Sequence, residues 1–296
     1  FAGAVTVSSS IVGPIIPPSI ILIIYAIGAR VSIARIFLAG IVPGIVIGLL
    51  LMFGIYIMAT RNPQAFPMKG RLGLKDLFRV VRDSILAVIS PLIILWGMVG
   101  GMVTPTEAGV LAVVWSIFVG TIYRDFRLKR VSKVLYESFL SSAHIMFLIA
   151  AGNLMGWVIT ADGTSEELAQ ALIGFAENKY LILLIINFIA LVMGCLLEPA
   201  PALLVCLPIF EPIMTQMGID PLHFGIFLCF NLCIGMLTPP VGLGLYVMCS
   251  IADIKFEPLT RRVVPFLWIL IVGLVLITYL PWLSTWLPKL LMPYSL

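Results

Sequence analysis

The sequence predicts an all-α polytopic membrane protein with discontinuous helices and a re-entrant hairpin, and three observations carry that prediction. The chain of 296 residues is 61% hydrophobic and only 11% charged, with a mean hydropathy of +1.15. Whole stretches such as Ile36–Ala59 carry no charge, as bilayer-spanning helices require. The third observation is a Gly-x-x-x-Pro-Pro motif that occurs twice, each time inside an apolar segment.

Apolar segments long enough to cross a hydrocarbon core of ~30 Å, at ~20 residues each, run from Ala2 to Ile27, Ile33 to Ala59, Ser84 to Gly100, Pro105 to Tyr123, Ser141 to Ile159, Tyr180 to Ile213, Leu222 to Ile251 and Val263 to Leu287. Two stretches between them, Leu72–Asp83 and Phe126–Leu140, mix apolar residues with Arg and Lys at helical spacing and are predicted to lie along the membrane interface. Solvated linkers are the ordinary alternative. Three regions follow: 1–60, the remainder of a first repeat; 61–140, interfacial arms and two scaffold spans; and 141–296, a second repeat. The chain opens on an apolar segment without an initiator Met or a basic leader and reads as part of something longer.

Basic residues orient the spans. Arg61, Lys69, Arg71, Lys75, Arg79 and Arg82 lie in one loop region, and Arg124, Arg127, Lys129, Arg130 and Lys133 in another, so both are assigned to the cytoplasm. The loop from Asp162 to Asn178 carries acids alone and suits the outside. If Tyr180–Ile213 crossed once, the loop holding Lys255, Arg261 and Arg262 would land outside; a re-entrant hairpin keeps it inside. The middle of that segment, Gly194-Cys-Leu-Leu-Glu-Pro-Ala-Pro201, agrees, because prolines and a carboxylate are costly at the centre of a continuous span. A single kinked helix is the alternative.

The two motifs are Gly13-Pro-Ile-Ile-Pro-Pro and Gly235-Met-Leu-Thr-Pro-Pro, each trailed by a tyrosine, Tyr25 and Tyr246. A proline pair removes two backbone donors, so each segment should be two half-helices around an unwound stretch. Four crossings and the hairpin separate the copies, which therefore run in opposite directions: an inverted repeat, the arrangement in which secondary transporters hold ions and substrate near the midplane. Ser8, Ser9 and Ser10 beside the first copy, and Asn231 and Thr238 around the second, offer neutral oxygen donors that suit Na⁺ rather than a transition metal. The ordinary role of each such hydroxyl is a bond back to its own helix.

Other function classes find little support. The net charge of +4 is spread over loops with no patch that could track phosphates, which excludes nucleic-acid binding. Cys195, Cys206, Cys229, Cys233 and Cys249 lie in apolar segments without metal-ligand spacing. His144 and His223 belong to no zinc motif, and no nucleophile has a base beside it, so the protein is not expected to be an enzyme.

With these residues in view, the chain resembles the large membrane subunit (M, or DctM-like) of tripartite ATP-independent periplasmic (TRAP) transporters. The resemblance rests on Ser8-Ser-Ser-Ile-Val-Gly-Pro-Ile-Ile-Pro-Pro-Ser19, on Thr104-Pro-Thr-Glu-Ala108, and on Gly218-Ile-Asp-Pro-Leu-His-Phe-Gly225 leading through Asn231 to the second proline pair. It implies an inverted-repeat, elevator-type transporter with Na⁺ as coupling ion, in the bacterial inner membrane. It also implies a small four-helix membrane subunit (Q) and a soluble periplasmic substrate-binding protein (P) as partners, and a C4-dicarboxylate, sialic acid or similar carboxylate as substrate. By this resemblance Ser9, Ser10, Gly13 and Pro14 form half of one sodium site. Asn231, Gly235 and Thr238, with the hairpin-tip residues Gly194, Glu198 and Ala200, form another; the residues that bind substrate are not identified beyond an expected neighbourhood of Ser19, Pro199 and Pro240. Many relatives carry a short polar residue at the tip where this chain has Glu198, which leaves ligand, proton-sensitive gate and helix cap as roles for it. The first broken helix lacks a preceding hairpin here, so the N-terminal part of the first repeat is missing. Competing readings are a stand-alone Na⁺ or H⁺ coupled carboxylate symporter and a non-transporting assembly subunit. The second has no reason to keep a carboxylate, two proline pairs and an Asn at membrane depth.

Overall fold

The computed structural model describes residues 1–61, 73–124, 127–163, 166–167, 170–171, 174 and 178–292. Lys69, Arg71, Glu177 and parts of the two predicted interfacial stretches lie outside the described residues or their described side chains.

The described elements are α-helices and one short 3₁₀ turn. In chain order they are α1 (Ala2–Ser9), the 3₁₀ turn Ser10–Val12, α2 (Ile20–Gly28), α3 (Ile33–Arg61), α4 (Leu74–Val99), α5 (Pro105–Ile122), α6 (Leu128–Ala161), α7 (Lys179–Leu196), α8 (Pro199–Gln216), α9 (Pro221–Gly235), α10 (Leu243–Ala252), α11 (Phe256–Tyr279) and α12 (Trp282–Leu291). Among the described residues five helices are long and apolar enough to cross a membrane, those over Ile33–Arg61, Pro105–Ile122, Arg130–Ala161, Lys179–Leu196 and Phe256–Tyr279.

The structure departs from the sequence reading in two places. The stretches predicted as separate interfacial helices are continuous with the spans that follow, giving a 26-residue α4 and a 34-residue α6. At 1.5 Å per residue, α6 is about 51 Å long, well beyond the ~30 Å apolar core, so its basic first turns extend a span rather than form a separate element. The segment Val263–Leu287 is also two helices: α11 ends at Tyr279, and Pro281 begins the turn into α12. Proline has no N–H for the helix ladder, and its ring collides with the carbonyl four residues back.

The chain divides into two compact units, residues 1–60 with 146–296, and residues 61–145. In the first unit α9 is the centre. Every residue from Leu222 to Gly235 is buried, and α2, α7, α8, α11 and α12 all pack against it. Lipid tails are as apolar as Leu, so association within such a bundle rests on close packing and interhelical hydrogen bonds rather than on the hydrophobic effect. Phe224, Phe227 and Phe230 fill the spaces around α9. Tyr25 of α2 packs its ring directly over Gly225, where a side chain would overlap it, and donates a 2.6 Å hydrogen bond to the Pro221 carbonyl.

In the second unit α4 packs along α5, and Trp115 Nε1 donates to the Leu86 carbonyl at 3.0 Å. Helix α5 starts sharply because Thr104 and Glu107 form a reciprocal capping box with Pro105 in the first turn, which satisfies orphan N–H groups at the helix start.

Candidate functional site: two helix breaks and a hairpin tip

Both proline-pair motifs interrupt a helix. The first break lies between the 3₁₀ turn and α2, the second between α9 and α10, and in both the Pro–Pro peptide bond is cis. The two are closed in parallel ways. In the first, Ser19 caps α2 by accepting from Leu22 N and donates its hydroxyl hydrogen to the Pro14 carbonyl. In the second, Gly244 N donates to the Met236 carbonyl at 3.0 Å. Pro14 and Met236 are both the second residue of the motif, so each break folds back on the same carbonyl with a donor from beyond the prolines. Gly242 opens α10 at φ 61°, a left-handed conformation that glycine adopts without a Cβ penalty.

The breaks sit against other elements of the same unit. A Cβ on Gly40 of α3 would overlap the Ile15 carbonyl, so α3 backs the first break at backbone distance. The 3₁₀ turn packs on α9.

Helices α7 and α8 pack together and are joined by only Leu197 and Glu198. Leu197 is extended (φ −120°, ψ 157°), and Pro199 begins α8, where a missing N–H costs nothing. The tip rests on α9 by backbone contact. A Cβ on Gly194 would lie 2.7 Å from the Leu232 carbonyl oxygen, and one on Gly235 would overlap the Gly194 backbone. Thr238 donates to the Ile234 carbonyl at 3.0 Å, one turn past the point where Gly194 of α7 meets α9. Gly194, Gly235 and Thr238 are therefore brought together.

Asn231 lies one turn before Gly235 and is completely buried. Its Nδ2 donates to the Asn187 backbone carbonyl and to Asn187 Oδ1, both at 2.8 Å. Asn187 donates in turn to the Leu183 carbonyl at 2.9 Å and to Thr278 Oγ1 at 3.2 Å. Two oxygen acceptors around Nδ2 determine which way the Asn231 amide points. Among the described residues Asn231 Oδ1 and Ser8 Oγ, both buried, have no hydrogen-bond partner.

The remaining predicted residues fall differently. Ser9 and Ser10 are exposed and donate to Thr6 and Val7 carbonyls at 3.1 and 2.8 Å. Gly13 is exposed and Pro14 half-buried. At the hairpin tip Pro199 is buried and Ala200 half-buried, while Glu198 is exposed and makes no side-chain cap bond to α8. Ser19 is buried and Pro240 exposed. The two tyrosines are not equivalent: Tyr25 is fully buried against α9, whereas Tyr246 is exposed and stacks on Phe256 at 4.6 Å.

The donor set fits a hard monovalent cation. It is rich in neutral oxygens, and a hydroxyl that donates to a helix carbonyl keeps lone pairs for a metal ion. An unpartnered buried carbonyl such as Asn231 Oδ1 leaves a desolvation cost that a cation can offset. Asn187 is the residue that motif reasoning passed over; its only signal was an amide alone in an apolar run.

The family model for "Tripartite ATP-independent periplasmic transporter, DctM component" matches residues 1–283. Among similar proteins, YgiK of Salmonella typhimurium, which carries no functional name, is 38% identical over 99% of this chain and 67% of its own length. The C4-dicarboxylate TRAP transporter large permease protein DctM of Pseudomonas aeruginosa is 36% identical over 98% of this chain and 67% of its own. The sialic acid TRAP transporter large permease protein SiaM of Vibrio cholerae is 34% identical over 100% of this chain and 69% of its own. With the broken helices and long apolar spans described above, these matches make the chain a multi-pass membrane permease rather than an enzyme, and it belongs to the DctM family of tripartite ATP-independent periplasmic transporters.

Proposed function

We propose that this protein imports a small organic acid, a C4-dicarboxylate, sialic acid or similar carboxylate, across the bacterial inner membrane by Na⁺-coupled symport. In this reading a periplasmic binding protein delivers the acid, a small membrane subunit completes the complex, and the hairpin and broken helices move as the transporting part of an elevator. The observation that carries the proposal is the seating of the hairpin tip, through Gly194, on the end of a broken helix that holds a buried, unpartnered amide oxygen at Asn231. Half-helix ends and unwound backbone at such a place are the usual donors to coupling ions. The carboxylate names of the relatives and the tripartite description of the family support the substrate class and the partners.

Thr238→Ala tests the ion assignment. It removes a hydroxyl beside the tip and leaves the helix backbone intact, so the Na⁺ concentration for half-maximal uptake should rise more than that for the acid. Equal shifts in both would place Thr238 outside the cation site.

A further inference from the structure

In the second unit, α5 ends at Ile122 and α6 begins at Leu128, yet the two share no extended packing. Between them is a cavity of about 550 Å³. Its α5 wall is one helical face, including Val113, Ile117 and Gly120, and its α6 wall includes Val131, Val134 and Leu135. Arg127 and Arg130 line it as well. Because α6 returns from the end at which α5 finishes, the two arginines share the Gly120 end of the cavity, and the opposite end, near Val113 and Leu135, is apolar. The α5 face rises over about 12 Å.

We infer that this wedge binds one anionic phospholipid, with its phosphodiester between Arg127 and Arg130 and an acyl chain along the α5 and α6 walls. Guanidinium is the side-chain group best matched to phosphate oxygens, by charge and by bidentate geometry. An apolar cleft open to the bilayer needs an apolar occupant, and only an amphiphile meets both ends at once. Val113 and Leu135 are about 60% exposed, so the walls are not already covered within the unit. The basic turn lies on the side that the loop charges assign to the cytoplasm, where anionic lipid attracts such residues. Lys133, one turn further on, pairs with Glu137 at 3.7 Å and does not line the cavity.

Native mass spectrometry of the purified full complex, titrated with phosphatidylglycerol or phosphatidylcholine of matched chains, tests this. Phosphatidylglycerol should be retained at least about ten-fold more tightly, and R127Q/R130Q should abolish the preference. Ile117→Trp, which fills the apolar wall and leaves the arginines in place, should reduce retention of both lipids. Inorganic phosphate should not displace the bound lipid. Equal retention of the two lipids, an unchanged preference in R127Q/R130Q, or full displacement by inorganic phosphate would overturn the proposal. So would a photocrosslink from position 131 to a protein subunit in place of lipid, which would make the wedge a protein interface.

Discussion

Replacing Gly194 with alanine would put a methyl carbon 2.7 Å from the Leu232 carbonyl oxygen and 2.9 Å from its Cα, where ordinary van der Waals contact begins at 3.4 Å. Two effects oppose each other. Alanine gains up to about 1 kcal/mol over glycine within a helix, whereas overpacking a filled site costs about 1–3 kcal/mol. The colliding atoms are backbone of α9, which is held by α2, α7, α8, α11 and α12, so no side-chain rotation relieves them and the clash should prevail. A net loss of about 1–2 kcal/mol corresponds to a melting temperature lowered by about 2–8 °C in a unit of this size. Gly48→Ala in α3 is the control, because a Cβ there meets nothing within 4 Å; it should be neutral or stabilising by up to about 1 kcal/mol. Thermal unfolding of both variants in one detergent measures the contrast. A Gly194→Ala protein that melts at or above the wild type, beside a Gly48→Ala protein behaving as stated, would refute direct seating of the tip on α9.

Asn231→Leu removes two N–H donors and leaves Asn187 Oδ1 without its donor inside the bundle, while the Asn187 carbonyl keeps its helical partner. Interhelical hydrogen bonds in membranes average about 0.6 and reach about 1.7 kcal/mol, so a loss of about 1–2 kcal/mol should appear in the same melt; unchanged stability would contradict the network. Tyr25→Phe deletes the bond to Pro221, but a helical carbonyl keeps its backbone partner, so the cost should stay near or below about 1 kcal/mol. A larger loss would mean that the hydroxyl does more than pin α2 to α9. Glu198→Cys, in a protein with its five native cysteines replaced, should be labelled by an impermeant thiol reagent from the periplasmic side in one transport state; labelling only from the cytoplasm would exclude a re-entrant hairpin.

Much of this architecture was legible because proline chemistry is local. Pro17, Pro18, Pro239 and Pro240 have no N–H to give, and the breaks fall at those residues. Pro199 marked the start of α8 for the same reason, since its missing N–H falls in the first turn of that helix. What stayed hidden depends on neighbours distant in sequence. Three consecutive serines face three directions on a helix, about 100° apart, and only packing shows that Ser8 points inward while Ser9 and Ser10 are exposed. Asn187 gained its importance from Asn231 and Thr278, which lie 44 and 91 residues away in sequence. The basic start of α6 reads equally well as an interfacial helix or as the wet end of a long one, because the same amphipathic pattern serves both.

The most direct test of the account is uptake of radiolabelled organic acid into proteoliposomes containing the full-length transporter and its partner proteins, with external Na⁺ replaced by choline while a proton gradient is kept. The acids to use are a C4-dicarboxylate and sialic acid. Uptake should collapse in choline and return with a sigmoidal or saturable dependence as Na⁺ is restored; transport undiminished without Na⁺ would contradict a cation site at the hairpin tip and broken helices.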